Sequence, residues 1–280
     1  MAKIIRPPRA KKSSARVRPK PSAKRAPALT SRPGSKSGRA KKQASTAGKP
    51  STAKPSTAKS STAKSSTTKP WTAAEVFEAF SRFRQANPEP KGELEHLNPF
   101  TLLVAVVLSA QATDAGVNRA TRALFQVADS PQKMLALGED SLRDSIKTIG
   151  LYRTKAKNVI ALSEKLIAEF GGEVPRTRAE IESLPGAGRK TANVVLNMAF
   201  GEHTMAVDTH VFRVANRTGL APGKTPLEVE LGLEKVIPDE FMLHAHHWLI
   251  LHGRYTCLAR KPRCGLCLIR DLCRWPEKTA

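Results

Sequence analysis

The spacing of apolar residues over residues 71–280 predicts helices. The first of them follows a possible capping box formed by Thr72 and Glu75. Its apolar residues recur on one helical face: Val76, Phe77, Phe80 and Phe83. The strict alternation of apolar and polar residues that marks a half-buried strand is scarce. The sequence therefore predicts an all-α fold with two helical subdomains.

The longest apolar run, PFTLLVAVVLSA at residues 99–110, predicts a buried core helix. Asn98 precedes it as a cap, and Pro99 stands at the first helical position, where a proline is tolerated because its missing N–H would be unpaired anyway. A membrane-spanning helix needs roughly 18–20 apolar residues, so we expect this run to lie inside the protein.

A glycine turn joins two short predicted helices into a helix-hairpin-helix motif. The first arm covers residues 177–184, and the second covers 189–200. Between them, Pro185-Gly186-Ala187-Gly188 turns the chain. The preceding helix is predicted over 158–170, where Gly171 ends it, because glycine adopts the left-handed conformation of a helix end.

Lys190 lies on the first turn of the second arm. A glycine turn before a helix exposes backbone N–H groups that hold a phosphate oxygen. We expect a buried position and the positive helix end to favour the neutral, nucleophilic amine of Lys190. The alternative is a lysine that only contacts phosphate. A nucleotide-binding P-loop is disfavoured, because Arg189 stands where that motif needs glycine and no strand precedes it.

Asp208, in the segment AVDTHVFR, is an acidic residue among apolar neighbours. One interpretation is a helix cap, since aspartate favours that position and a helix from Thr209 onward is plausible. The other is a carboxylate that acts with Lys190, and both hold at once if the cap orients the side chain. A phosphate-binding turn, an amine and a carboxylate together indicate covalent chemistry on a nucleic acid.

The chain has four cysteines, which follow the pattern C-x6-C-x2-C-x5-C: Cys257, Cys264, Cys267 and Cys273. Four soft ligands within seventeen residues indicate one metal centre, either an iron–sulfur cluster or a four-thiolate zinc. Two disulfides are the alternative, and they suit small secreted domains better. For the four histidines of HAHHWLILH we expect packed or partly exposed positions instead of a metal site.

Charge is concentrated in the first 69 residues, which hold twenty of the 47 basic residues and no acidic one. This segment is poor in large apolar residues, and a lysine recurs every five residues from Lys49 to Lys69. We predict a disordered basic tail over residues 1–70 that contacts the phosphate backbone. A solubilising arm and a targeting peptide are the alternatives.

The length of the remaining chain suits one large or two small domains, and we predict two helical subdomains. We predict one from residues 71–95 and 205–280, which holds the cysteine loop at 257–273. The other is predicted over 96–204 and ends in the hairpin. No secretory signal is evident in residues 1–30, so we expect a soluble intracellular protein, cytoplasmic and associated with the nucleoid.

Five segments, found in the same order along the chain, resemble the endonuclease III family of the helix-hairpin-helix DNA glycosylases. They are VLSAQATD, IKTIGLY, LPGAGRKTANVV, VDTHVFRVANRT and HHWLILHGRYTCLARKPRCGLC. The resemblance covers residues 71–275 and does not reach the tail. It implies a bifunctional DNA glycosylase and AP lyase that excises oxidised pyrimidines in base excision repair.

The resemblance also implies roles for single residues. Lys190 is then the amine that attacks C1′ of the damaged nucleotide, with Asp208 as its acidic partner, and the cysteines hold a [4Fe–4S] cluster. The residues expected to contact DNA are Gln111 in the gap left by a flipped base, Leu151 as a wedge, and Gly186, Gly188, Arg189 and His210 at the backbone.

The expected partner is double-stranded DNA with damaged pyrimidines or abasic sites, bound by a monomer and without a membrane. Two other interpretations stay open at this stage. The adenine-mismatch glycosylases of the same superfamily share the hairpin, the aspartate and the cluster but typically lack the lysine. A non-enzymatic nucleoid-binding protein would use the tail and the hairpin as two sites that bind DNA independently of its base sequence.

Overall fold

Helices make up the regular structure of residues 69–279, the part of the chain that the computed structural model describes. The predicted tail lies almost wholly outside those residues. The described part has no strand, and its helices are α1 Ala73–Ala86, α2 Pro99–Ser109, α3 Asp114–Thr121, α4 Leu124–Val127, α5 Pro131–Leu137, α6 Glu139–Ser145, α7 Tyr152–Phe170, α8 Arg178–Glu182, α9 Arg189–Phe200, α10 Thr209–Thr218, α11 Pro226–Val236 and α12 Asp239–Tyr255. The prediction of an all-α fold is confirmed.

Side-chain caps start the helices where the sequence places them. Thr72 and Glu75 form a reciprocal capping box on α1. Asn98 caps α2, with Pro99 at its first position, and Thr177 caps α8. Each cap accepts a hydrogen bond from a backbone N–H that has no partner within the helix, so the start of each helix is fixed locally.

Helix α7 begins earlier than the sequence pattern predicts. The apolar spacing indicates a start at residue 158, whereas the helix starts at Tyr152, directly after Leu151. The first turn carries Arg153 and Thr154, which are exposed and add nothing to the apolar pattern. The predicted end at Gly171 is confirmed, and Gly171 has a positive φ of 63°.

Two hydrophobic clusters form the interior of the described part. The first is centred on α2, whose residues Phe100–Leu108 are buried, and it includes one face each of α7 and α9. The second joins α1, α10, α11 and α12, together with Cys257 and Ile269 from the cysteine loop. This arrangement supports two helical subdomains; their exact bounds stay a prediction.

Within residues 69–279, no helix is long and apolar enough to cross a membrane. The apolar helix α2 has eleven residues, and the first cluster surrounds it. Its role as a buried core helix is confirmed.

Candidate active site and DNA interface

The glycine turn of the hairpin is tightly packed at one glycine and open at the other. Gly186 has φ of 82°, and a Cβ atom there would lie 2.9 Å from Nδ2 of Asn158 and 3.2 Å from Cγ1 of Val107. Gly188, the N-cap of α9, has φ of −122°, and nothing lies within 4 Å of the position of its Cβ atom. The fold thus requires glycine at position 186. At position 188, the glycine leaves the backbone N–H groups at the start of α9 accessible.

These two glycines give a matched pair of variants. Gly186→Ala should lower the free energy of unfolding by about 1–3 kcal/mol, because alanine is strained at positive φ and its Cβ meets Asn158. Gly188→Ala should cost at most about 1 kcal/mol, the loss expected at a cap, yet weaken DNA binding, because its methyl group would stand beside the free N–H groups. Chemical denaturation and binding to an abasic-site analogue measure the two effects. Equal DNA affinity of Gly188→Ala and the native protein would argue against a phosphate contact at this turn.

Lys190 is the second residue of α9, and it is exposed. The expectation of a buried lysine is therefore wrong. All side chains of α9 from Ala192 to Asn197 are buried, whereas its first turn, which carries Lys190, lies at the surface. There Lys190 borders two neighbouring cavities.

Asp208 caps α10, as one interpretation of the sequence predicts. Its Oδ1 accepts hydrogen bonds from the backbone N–H groups of His210 and Val211, each at 2.8 Å. The residue is half-buried, and its Oδ2 has no hydrogen-bond partner among the described residues. The cap fixes one oxygen of the carboxylate and leaves the other available.

Lys190 and Asp208 line the same cavity, whose volume including its open mouth is about 1200 Å³. Ser109, Asp114 and His210 also line it. A smaller cavity of about 570 Å³ is also lined by Ser109, Asp114 and Lys190. An amine, a carboxylate and an open cavity therefore lie side by side.

The smaller cavity holds an ion-pair network that the sequence does not predict. Arg254 of α12 pairs with Asp114, its Nη1 lying 2.6 Å from Oδ2, and the same nitrogen also pairs with Glu93. The hydroxyl of Tyr255 donates to Glu93 as well. Glu93 and Arg254 are 161 residues apart, so no local pattern connects them.

Two buried histidines of α12, His246 and His247, also line the smaller cavity. Burial lowers the pKa of His247 to about 4 and shifts the pKa of His246 in the same direction, so both rings are neutral at physiological pH. The nearby Lys190 lowers the pKa of His246 further, while Asp208 opposes the shift. The expectation of packed histidines is confirmed for these two.

Gln111 and Leu151 share an unusual backbone conformation. Their φ angles are 54° and 58°, in the left-handed region that side chains other than glycine rarely adopt. Both are exposed, Leu151 by 58%. A Cβ atom at Gly150 would lie 3.7 Å from the backbone oxygen of Gln111, so the two turns adjoin. Leu151 is thus not an ordinary core leucine.

Two further residues predicted to contact DNA, His210 and Arg189, are held in place by other side chains. Nη2 of Arg213 lies 3.2 Å from Nδ1 of His210 and positions that half-buried ring. Arg189 turns its guanidinium toward the buried carboxylate of Glu230. For Arg189 the structure favours this internal contact, so a side-chain contact with DNA remains a prediction without structural support.

The four cysteines line one cavity of about 330 Å³, and the structure bonds no two of their sulfur atoms to each other. Disulfides are therefore not formed among the described residues. No three side chains of His, Cys, Asp or Glu within residues 69–279 converge closely enough to hold one metal ion. The thiols instead surround a shared space between α12 and the end of the chain.

The surroundings of the four cysteine sulfur atoms fit the positively charged core of an iron–sulfur cluster. Burial raises the pKa of the Cys267 thiol to about 11 and raises that of Cys273, so the thiolate forms need a positive partner. Nη1 of Arg217 lies 3.6 Å from Sγ of Cys257, and the backbone N–H of Trp275 donates to Sγ of Cys273 at 3.5 Å. Such donors stabilise thiolate ligands.

Two family models match the chain. The HhH-GPD superfamily of base excision DNA repair proteins matches residues 104–239, which include the hairpin and Asp208. The iron–sulfur binding domain of endonuclease III matches residues 257–273, which hold the four cysteines. The fold and the site therefore define a DNA repair protein of the helix-hairpin-helix class with an iron–sulfur cluster.

The chain belongs to the endonuclease III family. Endonuclease III of Haemophilus influenzae is 59% identical over 201 residues, which cover 72% of this chain and 95% of the relative. Endonuclease III of Escherichia coli is 58% identical over 205 residues, which cover 73% and 97%. A solved structure of a trapped covalent endonuclease III–DNA intermediate has a TM-score of 0.68 at 46% identity, covering 73% of this chain and 96% of that one.

This membership gives the chain its activity and its cofactor. It is a DNA glycosylase and AP lyase of base excision repair. Its four cysteines carry a [4Fe–4S] cluster, which decides between the cluster and zinc that spacing alone left open.

Proposed function

We propose that Lys190 is the amine nucleophile of this reaction and that Asp208 is its acidic partner. The observation that carries the proposal is the single open cavity that both side chains line. Nζ of Lys190 attacks C1′ of the damaged nucleotide, and the base leaves with the electron pair of the glycosidic bond. The sugar ring then opens to a Schiff base between Nζ and C1′.

The second half of the reaction breaks the DNA strand. Loss of a proton from C2′ of the Schiff base expels the 3′ phosphate by β-elimination. Positive charge develops on the sugar in the first step, and the free Oδ2 of Asp208 stabilises it. The backbone N–H groups at the start of α9 hold the neighbouring phosphate, where Gly188 leaves them uncovered.

The flipped base occupies the two cavities that Lys190 borders in this proposal. They present carboxylates of Glu93 and Asp114 and the guanidinium of Arg254. Acceptors and donors side by side match the polar edge of an oxidised pyrimidine. A damaged base leaves the stack at a lower free-energy cost, which favours it over normal bases.

The gap in the duplex is filled by the two adjoining turns. Exposed Gln111 takes the place of the flipped base, and exposed Leu151 wedges the opposite strand. His210, held by Arg213, contacts the backbone of the damaged nucleotide. The cysteines hold the [4Fe–4S] cluster, which ties the loop at 257–273 into one shape and presents its exposed basic residues Arg260 and Lys261.

Double-stranded DNA with damaged pyrimidines or abasic sites is the partner, and the site of action we propose is the nucleoid. The basic tail, which lies outside the described residues, adds sequence-blind affinity through its charge. The protein acts as a monomer in this proposal, since one chain supplies every group named above.

Substrate choice separates this proposal from the alternatives. We expect cleavage of a duplex that contains thymine glycol and none of a duplex with an adenine mismatch, because Lys190 favours the lyase branch of the superfamily. Gel analysis of both duplexes, without alkali treatment, measures strand cleavage by the protein itself. Adenine release without strand cleavage would support the mismatch glycosylase, and a mobility shift without any cleavage would support a DNA-binding protein.

A further inference from the structure

Arg189, the residue directly before Lys190, is bound to a buried carboxylate of another helix. Its Nε donates to both oxygens of Glu230, at 2.9 and 3.1 Å, and its Nη2 lies 2.8 Å from Oε1. Glu230 is only 4% exposed. Two guanidinium nitrogens on one carboxylate fix both the distance and the orientation of the pair.

The other arm of the hairpin makes a similar link. Nη2 of Arg178, the first residue of α8, lies 3.9 Å from Oε1 of Glu234, and its Nε donates to Oδ1 of Asn193 in α9 at 2.8 Å. Glu234 follows Glu230 by one helical turn, so both carboxylates lie on the same face of α11. We call these four residues the hairpin clamp: Arg178, Arg189, Glu230 and Glu234.

The clamp connects α9, which carries Lys190, with α11, which packs against the helix that Asp208 caps. On one side, α9 packs into the first hydrophobic cluster through Val194 and Val195. On the other, α11 packs into the second cluster through Val229 and Leu233, and it contacts α10, whose cap is Asp208. Apolar packing between the clusters is non-directional, whereas the ion pair fixes a single arrangement.

Lys190 depends on a fixed position of α9 because its side chain is exposed. Its side chain has no hydrogen-bond partner in the described part of the chain. The backbone at the start of α9 is therefore what positions the side chain and its amine. Attack on C1′ requires the reacting atoms at roughly 3–3.5 Å with the correct alignment.

We propose that Glu230 is a positioning residue, which holds Arg189 and thereby sets the distance between Lys190 and Asp208 in the assembled site. The inference rests on the proposed function of Lys190 and deepens it. A 1 Å displacement of reacting groups lowers a rate by about a hundredfold, so even partial loosening of the clamp should be measurable.

The test is the rate at which borohydride traps the full-length protein on abasic-site DNA in single-turnover conditions. Glu230→Gln keeps the shape of the side chain and removes its charge, and Arg189→Lys removes the two-nitrogen fork. Both should lower the trapping rate constant roughly tenfold with unchanged final amplitude, and Glu230→Gln should leave the affinity for a tetrahydrofuran abasic analogue unchanged. Glu240→Gln is the matched control: it removes the carboxylate of the exposed Arg84–Glu240 pair and should trap at the native rate.

A double variant keeps the test valid if a single variant leaves an unpaired buried charge and unfolds. Arg189→Met with Glu230→Met replaces the pair by apolar side chains, which buried ion pairs often tolerate. It should fold with the native far-ultraviolet circular dichroism and still trap slowly.

The outcomes separate this inference from the proposed function. A native rate constant in the folded clamp variants would overturn the positioning role, and so would a reduced amplitude with an unchanged rate constant, which indicates only a smaller folded fraction. A native protein that forms no trapped complex at all would instead overturn the role of Lys190, and the positioning role with it.

Discussion

Lys190→Ala is expected to abolish the borohydride-trapped protein–DNA complex and to lower strand cleavage at abasic sites by roughly a thousandfold or more. The physical reason is that alanine has no amine to form the Schiff base. Because Lys190 is exposed, its removal leaves no cavity and no unpaired buried group, so the melting temperature should stay that of the native protein.

Gel detection of the trapped complex measures this effect directly. Lys235→Ala provides a matched control, because Lys235 is also an exposed lysine on a helix but lines neither of the two cavities. It should trap as the native protein does. Undiminished trapping by Lys190→Ala would show that another amine attacks C1′ and would end the proposal for Lys190.

Asp208→Asn should lower the rate of base release by about 10²–10³-fold, the loss typical of removing one electrostatic group from a preorganised site. Asparagine caps a helix as well as aspartate does, so the hydrogen bonds to His210 and Val211 are kept and the melting temperature should not change. Only the negative charge is lost. Release of thymine glycol in a single turnover measures the effect.

The companion variant Asp208→Ala separates the charge from the cap. It should lose the same activity and in addition about 1 kcal/mol of stability, because the cap is also removed. A fully active Asp208→Asn protein would mean that Asp208 serves α10 as a cap and does not act on the sugar.

The parts of this fold that the sequence predicted are those with local causes. Thr72, Asn98 and Thr177 cap helices within three residues of themselves, so their effect is visible in a short window. Gly186 and Gly188 were recognised as a turn for the same reason. The family resemblance then implied the [4Fe–4S] cluster, which the comparisons confirm.

The candidate site was less predictable because its geometry depends on distant contacts. Nothing near Arg189 in the sequence indicates its contact with Glu230, which lies 41 residues further along. The exposure of Lys190 depends on which face of α9 packs against α2, and that face is chosen by tertiary packing. Roles for the predicted site residues remain predictions that the variants above test.

If Gln111 and Leu151 enter the duplex as proposed, their left-handed backbone bears on how fast the protein inspects DNA. Each strained residue raises the free energy of the folded protein by about 1–3 kcal/mol, and this strain is already present before DNA binds. The two turns thus do not have to rearrange at each encounter. The time spent at a normal base pair is then set by how readily the duplex opens, so undamaged DNA can be passed over quickly while a weakened pair is caught.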